Sequence, residues 1–127
     1  MTDRHLIIVA ALTLLAGVGA GAFGSHGLKR ILAPDMLAIW QTAVLYQMIH
    51  GLGLLAIAAL GAKFGSSLLS NAGTIMFTGI LIFSGSLYIL VFTGAKWLGA
   101  ITPIGGLAFI VAWAMVALAA YRTNVTL

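Results

Sequence analysis

Four long stretches without Asp, Glu, Lys or Arg constrain this chain more than any other feature. They cover approximately residues 6–24, 36–60, 71–93 and 103–120. A helix needs about 20 mostly apolar residues to cross the ~30 Å hydrocarbon layer of a bilayer. The sequence therefore predicts an all-α integral membrane protein, with one transmembrane domain over residues 1–127. The first stretch exceeds the roughly 7–15 apolar residues of a secretory signal, so we expect it to be a retained span.

The composition excludes an ordinary water-facing surface. Only 6% of the residues are charged and 62% are hydrophobic, whereas a soluble domain carries about 25% charged residues. The six basic residues are scattered and form no patch of the kind that nucleic-acid binding requires. We expect them to anchor the helices at the interface, with membrane lipids as partners and no nucleic acid. Cysteine is absent, which excludes disulfides and thiolate chemistry.

Helix boundaries follow from proline, glycine and small polar residues. Pro34 lacks a donor for a helix ladder, so a break is expected at residues 33–35, with the second helix beginning at about Met36. Ser70 is expected to cap the third helix, and Gly94 to end it. Thr102 is expected to cap the fourth helix, with Pro103 at its first helical position.

Short links between the stretches predict an antiparallel four-helix bundle with both termini on one side. The link over residues 25–35 sets Lys29 and Arg30 beside leucines, which predicts a short interfacial helix between the first two spans. Basic residues divide equally between the two sides, so the positive-inside rule does not fix the orientation. Aromatic side chains are expected in belts at the two interfaces. These are Trp40, Trp97 and Tyr121.

A group of polar side chains lies inside the second and third spans. His50 is one helical turn from Tyr46 and Gln47, close to the middle of its span. An ionisable residue inside a membrane is a functional candidate by default, although a neutral imidazole can also be a structural link between helices. The third helix adds serines and a tyrosine that can reach the second. The candidate polar cluster comprises Tyr46, Gln47, His50, Ser84, Ser86 and Tyr88.

His26 and Trp40 form a second candidate site, near the interface where the first two helices meet. His26 lies about 20 Å above His50, because each helical residue rises 1.5 Å, so a shared metal site is not expected. No cofactor is predicted. The spans hold no Asp, Glu, Lys or Cys to complete a nucleophile, base and orienting group, which predicts that the chain is not an enzyme.

Small residues predict close helix packing. Gly17 and Gly21 form a GxxxG pair that lets another backbone approach closely. This face can pack within the bundle, or it can contact another copy or another protein. The predicted packing glycines are Gly17, Gly21, Gly24, Gly105 and Gly106.

Several short motifs resemble the YgdD/YwdK family of small bacterial inner-membrane proteins, domain of unknown function 423. The resemblance implies four spans in the inner membrane and brings no activity, substrate or cofactor. Ser25 and Ala112 stand where that family has alanine and glycine. The motifs are GAFGSHGL at 21–28, WQTA at 40–43, YQ at 46–47 with His50, GSLY at 85–88, and TPIGG at 102–106 followed by Trp113.

Three functional hypotheses follow. The small-residue faces and the lack of catalytic groups favour helix–helix association, as a homo-oligomer or as an accessory subunit of a membrane complex. An alternative is a transporter or channel for protons, ions or a small solute that uses His50. A further alternative is a membrane enzyme or a lipid- or quinone-binding protein that uses Trp40, Tyr46 and His26 near the second interface. Native electrophoresis, flux assays and a bound headgroup in a structure would distinguish the three.

Overall fold

The structure, a computed structural model, contains four long helices and describes residues 1–124 and 126. Two short 3-10 helices join them at one end of the bundle, and the described residues form no strand. All four helices are long and apolar enough to cross a membrane, which confirms the predicted fold class. The helices are α1 (Asp3–His26), α2 (Pro34–Phe64), α3 (Ser67–Thr93) and α4 (Thr102–Arg122), and the 3-10 helices are Leu28–Arg30 and Lys96–Ala100.

The helix ends extend beyond the charge-free stretches. α2 runs on past Lys63, because a helix can continue through the headgroup layer where a charged side chain is solvated. α2 and α3 end at Gly65 and Gly94, whose φ values of 60° and 70° are left-handed conformations that glycine adopts without a Cβ penalty. Gly94 thus ends α3 as the sequence predicts.

The start of α3 differs from the prediction. The helix begins at Ser67, with Ser66 in the N-cap position, so Ser70 lies inside the first turns. The turn at Gly65 already brings the chain back, and the helix starts directly after it. The hydroxyl of Ser70 donates to the backbone carbonyl of Met1 instead of capping its own helix.

The start of α4 also differs. The 3-10 helix Lys96–Ala100, which the sequence did not predict, leads into α4 through Ile101 in a helical conformation. Thr102 is therefore the first helical residue and not the cap. Its hydroxyl lies 3.3 Å from the carbonyl oxygen of Leu98, within the preceding turn. By contrast, the predicted interfacial helix after α1 is present, with Leu28 buried and two basic residues exposed.

α2 and α3 form the centre of the bundle. Close contacts run between consecutive helices, and α1 and α4 scarcely touch each other within the described chain. In the apolar segment of each helix, the share of residues that are buried is 44% for α2 and 39% for α3. It is only 22% for α1 and for α4. Large apolar side chains such as Leu15, at 71% exposure, cover the outside and face lipid. An exposed apolar surface of this extent does not occur on a soluble monomer.

α3 and α4 approach each other closely where they cross, with backbone against backbone. A Cβ atom added at Gly105 would lie 2.5 Å from the backbone nitrogen of Phe83, and one added at Gly79 would lie 2.8 Å from the ring of Phe109. Lipid chains are as apolar as leucine, so helices in a bilayer associate through such close contacts and not through hydrophobic burial. Gly105 is a packing glycine as predicted, and Gly79 is its partner.

Gly105→Ala should lower the free energy of unfolding by about 1–3 kcal/mol, because the added methyl group has no room beside the α3 backbone. Gly106→Ala is the matched control, since the nearest atom to a Cβ there lies 3.9 Å away. Equilibrium unfolding of both variants in mixed micelles measures the difference. Equal losses of stability would contradict the close approach of α3 and α4 at Gly105.

Candidate functional site

His50 is buried in the middle of α2 and joins it to α4. Its Nδ1 lies 2.8 Å from the backbone oxygen of Tyr46, and the indole nitrogen of Trp113 donates to its Nε2 at 3.1 Å. A carbonyl can only accept and an indole N–H can only donate. The imidazole is therefore neutral in this arrangement, with its proton on Nδ1. Both ring nitrogens are occupied.

Aromatic rings surround this histidine. The ring of Phe109 stacks on the imidazole with centroids 3.5 Å apart and planes inclined by 10°. Phe83 packs on the ring of Tyr46 at 4.4 Å, and it lies 5.5 Å from Phe109. Such ring pairs add to packing beyond the area they bury. His50, Tyr46, Phe83, Phe109 and Trp113, which we call the aromatic cluster, thus bring α2, α3 and α4 together.

Gln47 lies on a different side of α2 and has different partners. Its amide nitrogen donates to the backbone oxygen of Thr13 in α1 at 2.9 Å. Its amide oxygen accepts from the hydroxyl of Tyr88 in α3 at 2.5 Å. Gln47 therefore ties the two flanking helices to α2, and it does not contribute to the aromatic cluster around His50.

The two serines of the predicted cluster form two further links. Ser84 donates to the backbone oxygen of Ala43 in α2 at 2.7 Å. Ser86 and Thr102 pair through their hydroxyls at 2.6 Å, which connects α3 to the start of α4.

No buried side-chain nitrogen or oxygen in the described part of the chain lacks a partner. Of the six polar residues grouped by the sequence, only Gln47 and Tyr88 are joined by a described bond between their side chains. The side chains of His50, Ser84 and Ser86 have separate partners.

Trp40 is not placed as the sequence predicts. It was expected in an aromatic belt, beside His26, but it is only 5% exposed. Its indole nitrogen donates to the backbone oxygen of Ala20 at 2.9 Å, and its ring fills the space that the missing side chain of Gly24 leaves. His26 is exposed at the end of α1, and the described contacts include no hydrogen bond or ring pair between it and Trp40. Trp97 remains at the surface.

The GxxxG face of α1 packs inside the chain. A Cβ at Gly17 would meet Met48, and one at Gly21 would lie 3.4 Å from Val44, both in α2. This face is therefore engaged in intramolecular packing. Gly106 differs from the other predicted packing glycines, because a Cβ there would make only ordinary contact with Phe83.

A groove of about 570 Å³ opens beside the aromatic cluster, between α2 and α4. Pro103 and Gly106 line its α4 side near the start of that helix, and Trp113 lines it ten residues further along. At 1.5 Å per residue this length is about 15 Å. None of the lining residues carries a charge. The groove therefore opens from the side of the protein towards the hydrocarbon of the membrane.

The hydroxyl of Tyr46 is the one polar side-chain group in this groove without an intramolecular partner among the described residues. Tyr46 is 36% exposed and lines the groove. It lies four residues, about 6 Å, from His50 along the middle of α2. A polar group at this depth has no bulk water to bind, so it must find a partner inside the membrane.

The sequence did not identify several of the residues that contact the candidate polar cluster. Thr13 was not considered, and Trp113 and Thr102 were noted only as parts of motifs or helix ends. Phe83 and Phe109 gave no indication, because an apolar ring in an apolar span is indistinguishable from a lipid-facing one. The indole N–H of Trp113 inside a span signals that this residue needs an acceptor, but the sequence does not indicate which one.

Residues 20–106 match the family described as "Protein of unknown function (DUF423)". The chain is 49% identical over 120 residues to the UPF0382 membrane protein YwdK of Bacillus subtilis, covering 94% of this chain and 98% of that protein. The chain belongs to the DUF423 family. It is also 48% identical over 119 residues to the UPF0382 membrane protein SSP2132 of Staphylococcus saprophyticus, covering 94% and 98% of the two chains. No solved structure shows a significant match.

Membership of the DUF423 family confirms the resemblance inferred from the motifs. With four membrane-spanning helices and bacterial relatives named as membrane proteins, the chain is a multi-pass protein of the bacterial plasma membrane. The family description assigns no activity. The roles of the polar residues therefore depend on their geometry in this DUF423 structure.

A double-mutant cycle should detect the hydrogen bond between His50 and Trp113. His50→Phe and Trp113→Phe should show a coupling free energy of about 0.6 kcal/mol, and no more than about 1.7, as for other side-chain hydrogen bonds in membranes. The control cycle pairs His50→Phe with Trp97→Phe, a tryptophan exposed outside the groove. Equal coupling in both cycles would contradict the bond.

Proposed function

We propose that this protein binds a neutral amphiphile of the bilayer in the groove between α2 and α4. The observation that carries this proposal is Tyr46, which is partly exposed, lines the groove, and has a hydroxyl without a described partner at hydrocarbon depth. By contrast, every buried side-chain nitrogen and oxygen in the described part of the protein has a partner. A ligand that supplies a hydrogen-bonding group would complete this pattern.

Size and charge support a small uncharged ligand. The volume of about 570 Å³ falls within the range of roughly 300–1,000 Å³ that small-molecule sites occupy. The lining is apolar and aromatic with few polar groups, which is typical of such sites. An ionised ligand would find no opposite charge among the lining residues and would be costly to hold at this depth.

The depth of the groove favours a molecule whose polar group can leave the headgroup layer. α2 has 31 residues, and its midpoint lies next to His50. Tyr46 lies three residues from that midpoint, so its backbone is roughly 4.5 Å from the middle of the bilayer. A phosphate headgroup is anchored at the interface and does not reach this depth. Our proposal concerns binding, with no chemical conversion of the ligand.

The geometry gives less support to the other two hypotheses. Both nitrogens of His50 are engaged, so a proton could be taken up on Nε2 only after the bond from Trp113 breaks. Association through the GxxxG face would require a surface that already contacts α2. A homo-oligomer or a complex with another membrane protein stays a prediction, and it would have to use a different face.

Tyr46→Phe should reduce the retention of the bound amphiphile. Loss of one hydrogen bond worth about 0.5–1.5 kcal/mol lowers affinity roughly threefold to tenfold. The measurement is mass spectrometry of neutral lipids that co-purify with the protein from native membranes, expressed per mole of protein. The fold should be unaffected, because the hydroxyl makes no described intramolecular hydrogen bond.

Tyr121→Phe is the matched control, since this tyrosine is 88% exposed at the far end of α4. It should retain the same lipids as the unaltered protein. Either of two results would overturn the proposal: no neutral lipid enriched over the bulk membrane, or equal retention in both tyrosine variants.

A further inference from the structure

We infer that the amphiphile is an isoprenoid quinone, a flat conjugated ring that carries carbonyl groups and a polyisoprenoid chain. This inference rests on the proposed function and narrows its ligand to one chemical class. Three features of the groove support it: the shape of its walls, the polarity of its free hydrogen-bonding group, and its opening towards the lipid.

The walls of the groove are built from flat rings. Tyr46 and Phe83 lie with their centroids 4.4 Å apart, and Phe109 completes a triangle at 5.5 Å from Phe83 and 6.2 Å from Tyr46. Trp113, 41% exposed, closes the deep end. Aromatic faces pair best with another flat ring, in offset-stacked or edge-on arrangements. The face of Phe109 is already stacked on His50. A ring-bearing ligand would therefore use the exposed parts of Tyr46, Phe83 and Trp113, whereas two acyl chains would not.

The free polar group is one that can donate to a carbonyl. The indole N–H of Trp113 is committed to His50, and the Nδ1 proton of His50 is committed to the backbone oxygen of Tyr46. The O–H of Tyr46 remains as a donor at the groove surface. A quinone carbonyl accepts such a bond and brings no proton of its own that would need a further acceptor.

The groove also has an exit for a long apolar chain. Leu107 and Ile110 form its outer rim on α4 and are 61% and 67% exposed. A chain that leaves the ring at this rim enters the hydrocarbon of the membrane directly. A polyisoprenoid chain can lie there without displacing any helix contact, because α4 meets α3 on its opposite side, at Gly105.

The test uses the full chain in nanodiscs made from a synthetic phosphatidylcholine that contains no quinone. The probe is ubiquinone-2, which carries two isoprene units. Quinones quench tryptophan fluorescence, and Trp113 lines the site. We expect a saturable quenching component above the linear collisional background. The quinone concentration at half-saturation should be roughly threefold to tenfold higher in Tyr46→Phe, as expected for one lost hydrogen bond. It should be unchanged in Tyr121→Phe.

Competition separates this inference from the proposed function. Geraniol has the same two isoprene units without the ring, and diacylglycerol is a neutral lipid with acyl chains. Neither should reverse the saturable quenching, whereas a non-quenching ring analogue of the quinone should. Circular dichroism of each variant confirms that its helices are intact.

Two results would overturn the quinone assignment alone: displacement by geraniol or diacylglycerol as readily as by the ring analogue, or no saturable quinone binding while Tyr46 still governs retention of another neutral lipid. If quinone does not saturate and no neutral lipid depends on Tyr46, both the assignment and the proposed function are wrong.

Discussion

The absence of water inside the bilayer is the constraint on which the rest of this structure depends. A polar side chain in hydrocarbon has to find its partner within the protein, and here those partners lie on neighbouring helices. Gln47 bonds to both flanking helices, Ser84 to the backbone of α2, and His50 to Trp113 of α4. Each of these bonds fixes the rotation of one helix against another. The polar residues of the spans therefore determine how the apolar helices are oriented.

Small residues determine how close those helices come. Burial of apolar surface gives little drive for association when lipid is equally apolar, so the helices need backbone contact or matched side chains. Gly105 allows backbone contact at the α3–α4 crossing. Gly24 allows a matched side-chain contact, because it accommodates the ring of Trp40. Gly106, one residue further on, has no such neighbour. The gap beside it is part of the groove, so the same helix both packs tightly and leaves a cavity.

The sequence predicts the spans well and their contacts poorly, for a physical reason. Charge-free length decides whether a segment can cross a bilayer, and it can be read locally. The partner of His50 lies 63 residues away and depends on how α2 and α4 are rotated, which no local pattern encodes. Gln47 shows the limit most clearly. It is one turn from His50, yet it faces other helices, because α2 is central and is contacted on more than one side.

The aromatic cluster gives Tyr46 two separate tasks. Its backbone oxygen accepts the bond from His50, which holds the imidazole neutral and positions Trp113 at the end of the groove. Its hydroxyl has no described partner, although it lies in the same medium as the buried polar groups, all of which are paired within the described chain. His50 also lines the groove, but both of its nitrogens are engaged, so the phenol of Tyr46 is the group that can donate to a ligand. His50 thus stabilises the packing of the helices, while the hydroxyl of Tyr46 is free to bind a ligand. In this way a chain with few polar groups can still present one of them to the membrane.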